Sequence, residues 1–240
     1  MKKRLLAVCI LGLSFIIGAT VFGLLIYQSR QPVKTIKVVG MATQRFRSDI
    51  IKWRVTLSRT AGQADLKAGY AELESDRNGL IAFLKANGVG AQDITVQPVN
   101  TNPIYGQNGG KDGIISGYSI QQNLFILSDD VGKVEKLALE PGALVNKGIF
   151  LQSSNLEYYY SKLDRLKRSL LAAATSDAQK RAAEIARSTG DRIAKIASAY
   201  SGVFQITEPY STEVMDYGVY NTSGRTKDIT VTVNVVFILK

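Results

Sequence analysis

The chain has 240 residues, 45% of them hydrophobic and 21% charged, which suits one sizeable folded domain with an anchor and does not suit disorder. It has no histidine and one cysteine, Cys9. Ser-His-Asp and Cys-His sites are therefore excluded, and the part beyond the first segment can form no disulfide, thiolate site or cysteine–zinc cluster. The net charge of +10 is unevenly spread: Lys2, Lys3, Arg4, Arg30, Lys34 and Lys37 fall in residues 1–37, which hold no acid. Anionic lipid headgroups match such a flank. No basic–aromatic patch follows it, so nucleic acid is not an expected partner.

An uncharged apolar run from Leu5 to Tyr27 comes first. At about 1.5 Å per residue it spans a hydrocarbon core of about 30 Å. A cleaved signal peptide has a shorter apolar region, roughly 7–15 residues, and a small-residue cleavage site. Here the run ends in "LLIYQSR", a poor site, and Val8-Cys9 is a poor lipoprotein signal. The expectation is a cytosolic tail (1–4), a transmembrane signal anchor (5–27), a linker (28–37) and an exported domain (38–240). The basic start favours the cytosol, which places the domain in the periplasm or outside the cell as a single-pass protein of the inner (cell) membrane.

The stretch Thr35–Arg59 reads as two strands around a turn near Phe46–Asp49, with Trp53, Val55 and Leu57 in alternation. A helix follows on Leu66, Tyr70, Leu73, Leu80 and Leu84, and "NGVG" closes it. "DITVQPV" predicts a short strand that Pro98 confines to an edge or terminus. "NTNPIYGQNGGKDG" reads as a loop. Tyr118, Ile120, Leu124 and Ile126 share the face of the next strand, with Gln122 interrupting. Val131, Val134, Leu137 and Ala138 predict a short helix that "EPGA" stops, and "NKGIFLQSSN" another strand.

A long helix is expected from Glu157 to about Thr189, with a stripe through Leu163, Leu166, Leu170, Ala174, Ala178, Ala182 and Ile185. "RIAKIASAYSGVFQITEP" reads as a returning strand, and "YSTEVMDYGVYNTSGRT" as a polar loop with tyrosines. In the closing strand Ile229, Val231, Val233, Val235, Phe237 and Leu239 hold one face without a break. The order implies an α+β domain: a largely antiparallel sheet, a long alanine-rich helix and one or two further helices on it, with the transmembrane helix in front.

Three stretches together carry a resemblance: "DITVQPVNTNPIYG" with "IISGYSIQQNLFIL", "GIFLQSSN" with "LDRLKRSLLAAATSDAQKRAAEIARSTGDRI", and "DITVTVNVVFIL". The order of a Pro-x-Tyr loop, a Gly-Tyr strand opening, an alanine-periodic helix and a β-branched last strand resembles the SIMPL-domain family of bacterial exported proteins. The resemblance covers about Thr35 to Lys240. It implies a periplasmic or surface-associated protein with no established activity or catalytic residues. It also implies a possible link to envelope or oxidative-stress defence and, since one immunogenic member forms a ring-like assembly, a homo-oligomer. With few methionines and no exported cysteine or histidine, any protection against oxidants would be indirect.

No catalytic, cofactor-binding or metal-binding residue is expected, and no cofactor. "GQNGG" lacks the Gly-Lys-Ser/Thr of a phosphate loop and reads as a turn. Asp129 and Asp130 suit a helix cap, while a carboxylate-dependent envelope hydrolase using Asp129, Asp130 or Glu157 is the alternative function. Tyr158, Tyr159 and Tyr160, read as a helix start, and Tyr210, Tyr217 and Tyr220 in the late loop are the candidate interface residues. The partner itself is not specified by the sequence.

Overall fold

A computed structural model describes residues 2–29, 33–106 and 114–240, with the side chains of 2–11, 28 and 29 undescribed. The chain is α+β, with antiparallel sheets and several helices. In order it runs α1 (Lys2–Ser29), β1 (Thr35–Arg47), β2 (Ile50–Ala61), α2 (Leu66–Ala86), β3 (Ile94–Tyr105), β4 (Ile115–Ser128), α3 (Val131–Leu139), α4 (Gly142–Val145), β5 (Leu151–Tyr159), α5 (Leu163–Ser188), β6 (Ile193–Ser201), β7 (Gln205–Thr207), β8 (Val219–Tyr220) and β9 (Thr226–Leu239). One sheet is ordered β3-β4-β2-β5; the other is β1-β9-β7-β8, with β6 also on β9. Where the sequence suggested one sheet there are two. β1 and β2 flank the expected turn, yet β1 pairs with β9 while β2 pairs with β4 and β5. Among the described residues no helix is long and apolar enough to cross a membrane, which says nothing of a β-barrel. The expected "GQNGG" turn falls on 107–113, outside the described residues.

Two compact units divide the chain, and β1, α5 and β9 each run from one into the other. The larger unit comprises Ala42–Ala173 and Gly202–Thr232. Its core is built from Ile51, Trp53, Val55 and Leu57 of β2, Ile120, Leu124 and Ile126 of β4, and Leu73, Leu80 and Leu84 of α2, all at most 1% exposed. The alternation of β2 places these residues on one face, and α2 and α3 cover it. Gly69 lets α2 approach, since a Cβ there would lie 2.7 Å from the Ala61 Cβ. Tyr70, expected in the α2 stripe, is 41% exposed; Gly69 is buried at that level instead, and Asp76 joins the buried face between Leu73 and Leu80. Arg59 satisfies Asp76 with two bonds of 2.6 and 2.8 Å. Gly88 (φ 78°) closes α2 as "NGVG" predicted.

Pro98 does sit in an edge strand, but β3 is longer than expected and continues through Pro103 to Tyr105. The ladder to β4 shifts register between Val96 and Val99, around the proline. Gln122, the residue that interrupts the β4 stripe, is 4% exposed and donates to the Gln97 carbonyl at this shift (2.9 Å). A side chain thus bonds a backbone acceptor where the ladder is disturbed.

The smaller unit contains the chain as far as Met41, Ala174–Ser201 and Val233–Lys240. Here the alanine stripe is buried: Ala174, Ala178 and Ala182 are fully covered and Ala186 is 1% exposed. Ile185, expected to end the stripe, is 47% exposed. Both positions follow Ala182 at helical spacing, and the smaller side chain takes the covered one. The reason is the separation from β1. A Cβ at Gly40 would lie 2.1 Å from the Ala174 carbonyl oxygen and 2.8 Å from the Ala178 Cβ. Val38, Val233, Val235 and Phe237 supply the remaining buried apolar side chains. Substitution Ala178→Leu should overpack this contact and cost about 1–3 kcal/mol, read as a lowered urea midpoint. An unchanged midpoint would mean that the stripe is not packed as described.

Candidate functional site

Tyr158, Tyr159 and Tyr160 do not begin a helix. Tyr158 and Tyr159 end β5, and α5 starts only at Leu163. Three consecutive aromatics favour a pleated strand, and pairing with β2 (Ile50–Tyr159, Ile51–Tyr158) decides the matter. The strand sends the side chains to alternate faces. Tyr158 is buried at 6% exposure, and its hydroxyl donates to Glu135 Oε1 at 2.6 Å. Tyr159 donates to Glu157 Oε2 at 2.8 Å, and its ring lies 6.4 Å from that of Tyr220. Tyr160 packs on Phe46 with ring centres 5.1 Å apart.

Beside them lies a residue that sequence reasoning missed. Lys227 is 1% exposed. It is in phase with Ile229, Val231 and Val233, so it occupies the buried face of β9. Extending that unbroken alternation one step toward the N-terminus would have found it. Its ammonium donates to the Tyr158 carbonyl and lies 5.8 Å from the centre of the Tyr220 ring. Burial pushes its pKa down to about 8. On the neighbouring positions Ser48 N–H donates to the Arg225 carbonyl (2.8 Å), and Arg225 reaches Glu135 Oε2 (3.3 Å). Burial and then the Glu135 bond raise Tyr158 to about 12, and burial and then the Glu157 bond do the same for Tyr159. Both tyrosines therefore stay neutral donors at physiological pH.

The late-loop tyrosines separate from this cluster by exposure. Tyr210 is 88% and Tyr217 83% exposed, while Tyr220 is 46% exposed. Tyr210 holds a left-handed conformation (φ 64°) and its ring lies 4.6 Å from the Arg45 guanidinium. Arg45 also binds Asp228 through two bonds of 2.8 and 2.9 Å, which lower the Asp228 pKa.

Two of the carboxylates weighed for hydrolysis are engaged elsewhere, and the third, Asp129, is exposed at the end of β4. Asp130 caps α3, accepting from the Lys133 N–H at 3.1 Å and pairing with its ammonium at 2.9 Å. Glu157 pairs with Arg54 at 2.7 Å besides accepting from Tyr159. Among the described residues no group of three or more His, Cys, Asp or Glu could hold a metal ion. The arrangement is a polar cluster around a buried lysine, bordered by exposed tyrosines.

A family model described as SIMPL, protein of unknown function (DUF541), matches residues 36–237. The chain belongs to the SIMPL family. No curated protein matches it. The match covers every strand of both sheets except the first residue of β1 and the last two of β9, and it stops short of α1.

The buried ammonium gives this SIMPL protein a pH signature. Its folded pKa lies below the ordinary 10.5, so the unfolded chain holds the proton more tightly between about 8 and 10.5. Below pH 8 the cost of burying the charge is fully present, and it is relieved as pH rises through that window. Tyr158 and Tyr159, raised above 10, oppose this only at higher pH. From pH 8 to 10 the melting temperature of the wild type should rise relative to that of Lys227→Met. A constant difference across that range would count against a buried, depressed lysine.

Proposed function

We propose that the protein is a membrane-anchored, exported SIMPL-domain protein that acts without catalysis, through self-assembly or partner binding in the cell envelope. The observation that carries the anchor is α1. Leu13, Phe15, Ile16, Ile17, Val21, Phe22, Leu24 and Leu25 are all at least 51% exposed. A helix that is apolar all round, with every described side chain from 12 to 27 exposed, calls for a non-aqueous environment. Its described side chains cover 12–27, about 24 Å of axis, whereas the apolar sequence runs back to Leu5 and brings the length to about 34 Å. Lys2, Lys3 and Arg4 then sit at the cytosolic end.

Binding rather than catalysis is supported by the side chains on offer. Asp130 and Glu157 bond to lysine, arginine, tyrosine and backbone partners, the chain has no histidine, and Lys227 is covered. The exposed chemistry is aromatic and apolar, at Tyr210, Tyr217 and Val214 (76% exposed). Extraction of membranes with alkaline carbonate tests the anchor: the full chain should stay in the pellet, and a chain lacking residues 5–27 should be released. Release of the full chain would overturn the membrane assignment.

A further inference from the structure

The register of β1 on β9 is fixed at both ends. Leu239 N–H donates to the Lys34 carbonyl (2.9 Å), Thr43 meets Thr230 (2.9 Å), Arg45 meets Asp228, and Ser48 N–H donates to the Arg225 carbonyl. These contacts share one antiparallel register, in which Gly40 lies opposite Val233. The backbone-bonded positions are the even-numbered ones, Lys34 and Ser48, so the odd-numbered residues of β1 direct their N–H and C=O groups away from β9. Met41 agrees: its N–H points outward and is taken up by Asp177 Oδ2 of α5 at 2.9 Å.

Because β1 has β9 as its only sheet neighbour among the described residues, the outward edge at Lys37 and Val39 is open there. Such an edge is a template for strand addition. Beside it lies a groove of about 600 Å³, lined by Lys37, Val39, Lys180, Arg181, Glu184 and Ile185. Arg181 is paired with Asp177 and Glu184 with Arg187, which leaves Lys37 and Lys180 as the cations on offer. Each wall therefore carries one cation and one exposed aliphatic group: Lys37 with Val39 (47% exposed) on the strand, and Lys180 with Ile185 (47%) on the helix.

The chain itself contains a segment with the complementary pattern. Glu213, Val214, Met215 and Asp216 lie in an exposed loop that enters a turn at Asp216, where the Met215 carbonyl accepts from the Gly218 N–H (3.0 Å) and Gln205 Nε2 (2.7 Å), and Val214 is 76% exposed. Extended, this segment places Glu213 and Met215 on one side and Val214 and Asp216 on the other. Each side then presents one acid and one aliphatic group, matching the two walls. We propose that the Glu213–Asp216 segment of a second copy adds as a strand to the β1 edge at Lys37–Val39. The contact is head-to-tail, so it propagates into a ring or a chain of copies. This deepens the assembly reading above and rests on it.

Charge reversal tests it in the full chain, purified in detergent and measured by chromatography with light scattering. The wild type should form assemblies of more than one copy. Two double variants, Lys37→Glu with Lys180→Glu and Glu213→Lys with Asp216→Lys, should each fall to the 26.2 kDa protomer. Mixing them should restore assembly, because each variant's groove then matches the other's loop. Restoration also shows that both variants are folded. Variants that keep the wild-type mass, or a mixture that stays protomeric, would overturn this interface while leaving assembly itself intact. A wild type that is protomeric at every concentration would remove both.

Discussion

The smaller unit depends on one close approach, that of β1 to α5 at Gly40. With a hydrogen in place of a side chain at Gly40, the strand backbone lies directly against the helix backbone between Ala174 and Ala178. At that separation only alanine fits on the helix face, which accounts for the run of Ala174, Ala178, Ala182 and Ala186. The same face of β9 brings Val233, Val235 and Phe237, whose larger side chains complete the packing where the helix itself contributes little volume. An alanine-rich helix of this kind is spent on its own fold. Its solvent side carries Lys180, Arg181, Glu184 and Ile185, and recognition is left to that side and to the strand edge beside it.

The larger unit solves its packing differently. Its core is filled by Trp53, Leu57, Leu73, Leu80, Ile120 and Leu124, and close approach to α2 is eased by Gly69, against Ala61, and Gly79, against Ile149. Several polar groups on the buried faces are matched individually, although Gln122 Oε1 has no hydrogen-bond partner among the described residues. Arg59 holds Asp76, Ser154 accepts from the Trp53 indole (2.9 Å), and Gln122 serves the backbone next to Pro98. Lys227 is the costly exception, a buried ammonium resting on a carbonyl and an aromatic face rather than on a carboxylate. It lies where β9, β5 and the Tyr220 strand meet, so the expense falls at a junction of strands.

Periodicity made much of this legible. The unbroken alternation from Ile229 to Phe237 reads directly as a half-buried strand, the leucines of α2 as a helix face, and the alanine stripe as a close-packing surface. What the sequence concealed was pairing. Nothing local tells β1 and β2, separated only by Ser48 and Asp49, to join different sheets, because partner choice depends on distant strands. Pro103 and its Asn-rich surroundings disguised the second half of β3, since proline signals a loop unless the strand is known to be an edge. The tyrosines were visible as candidates by residue type alone. Their separation into a buried member (Tyr158), neighbours set at a tilt against other rings (Tyr159, Tyr160, Tyr220) and exposed members (Tyr210, Tyr217) required the strand assignment of β5. Lys227 was hidden by the habit of assigning lysine to solvent, although its phase placed it inside.

The account rests on the helix–strand separation, and Gly40→Ala measures it with a single methyl group. The added Cβ would meet backbone atoms of α5 at 2.1 and 2.5 Å, which no side-chain rotation can relieve. The expected result is a loss of about 2–4 kcal/mol in unfolding free energy by denaturant titration. A stability equal to that of the wild type would contradict the close packing of α5 on β1, and with it the assignment of the alanine stripe to the protein's own core.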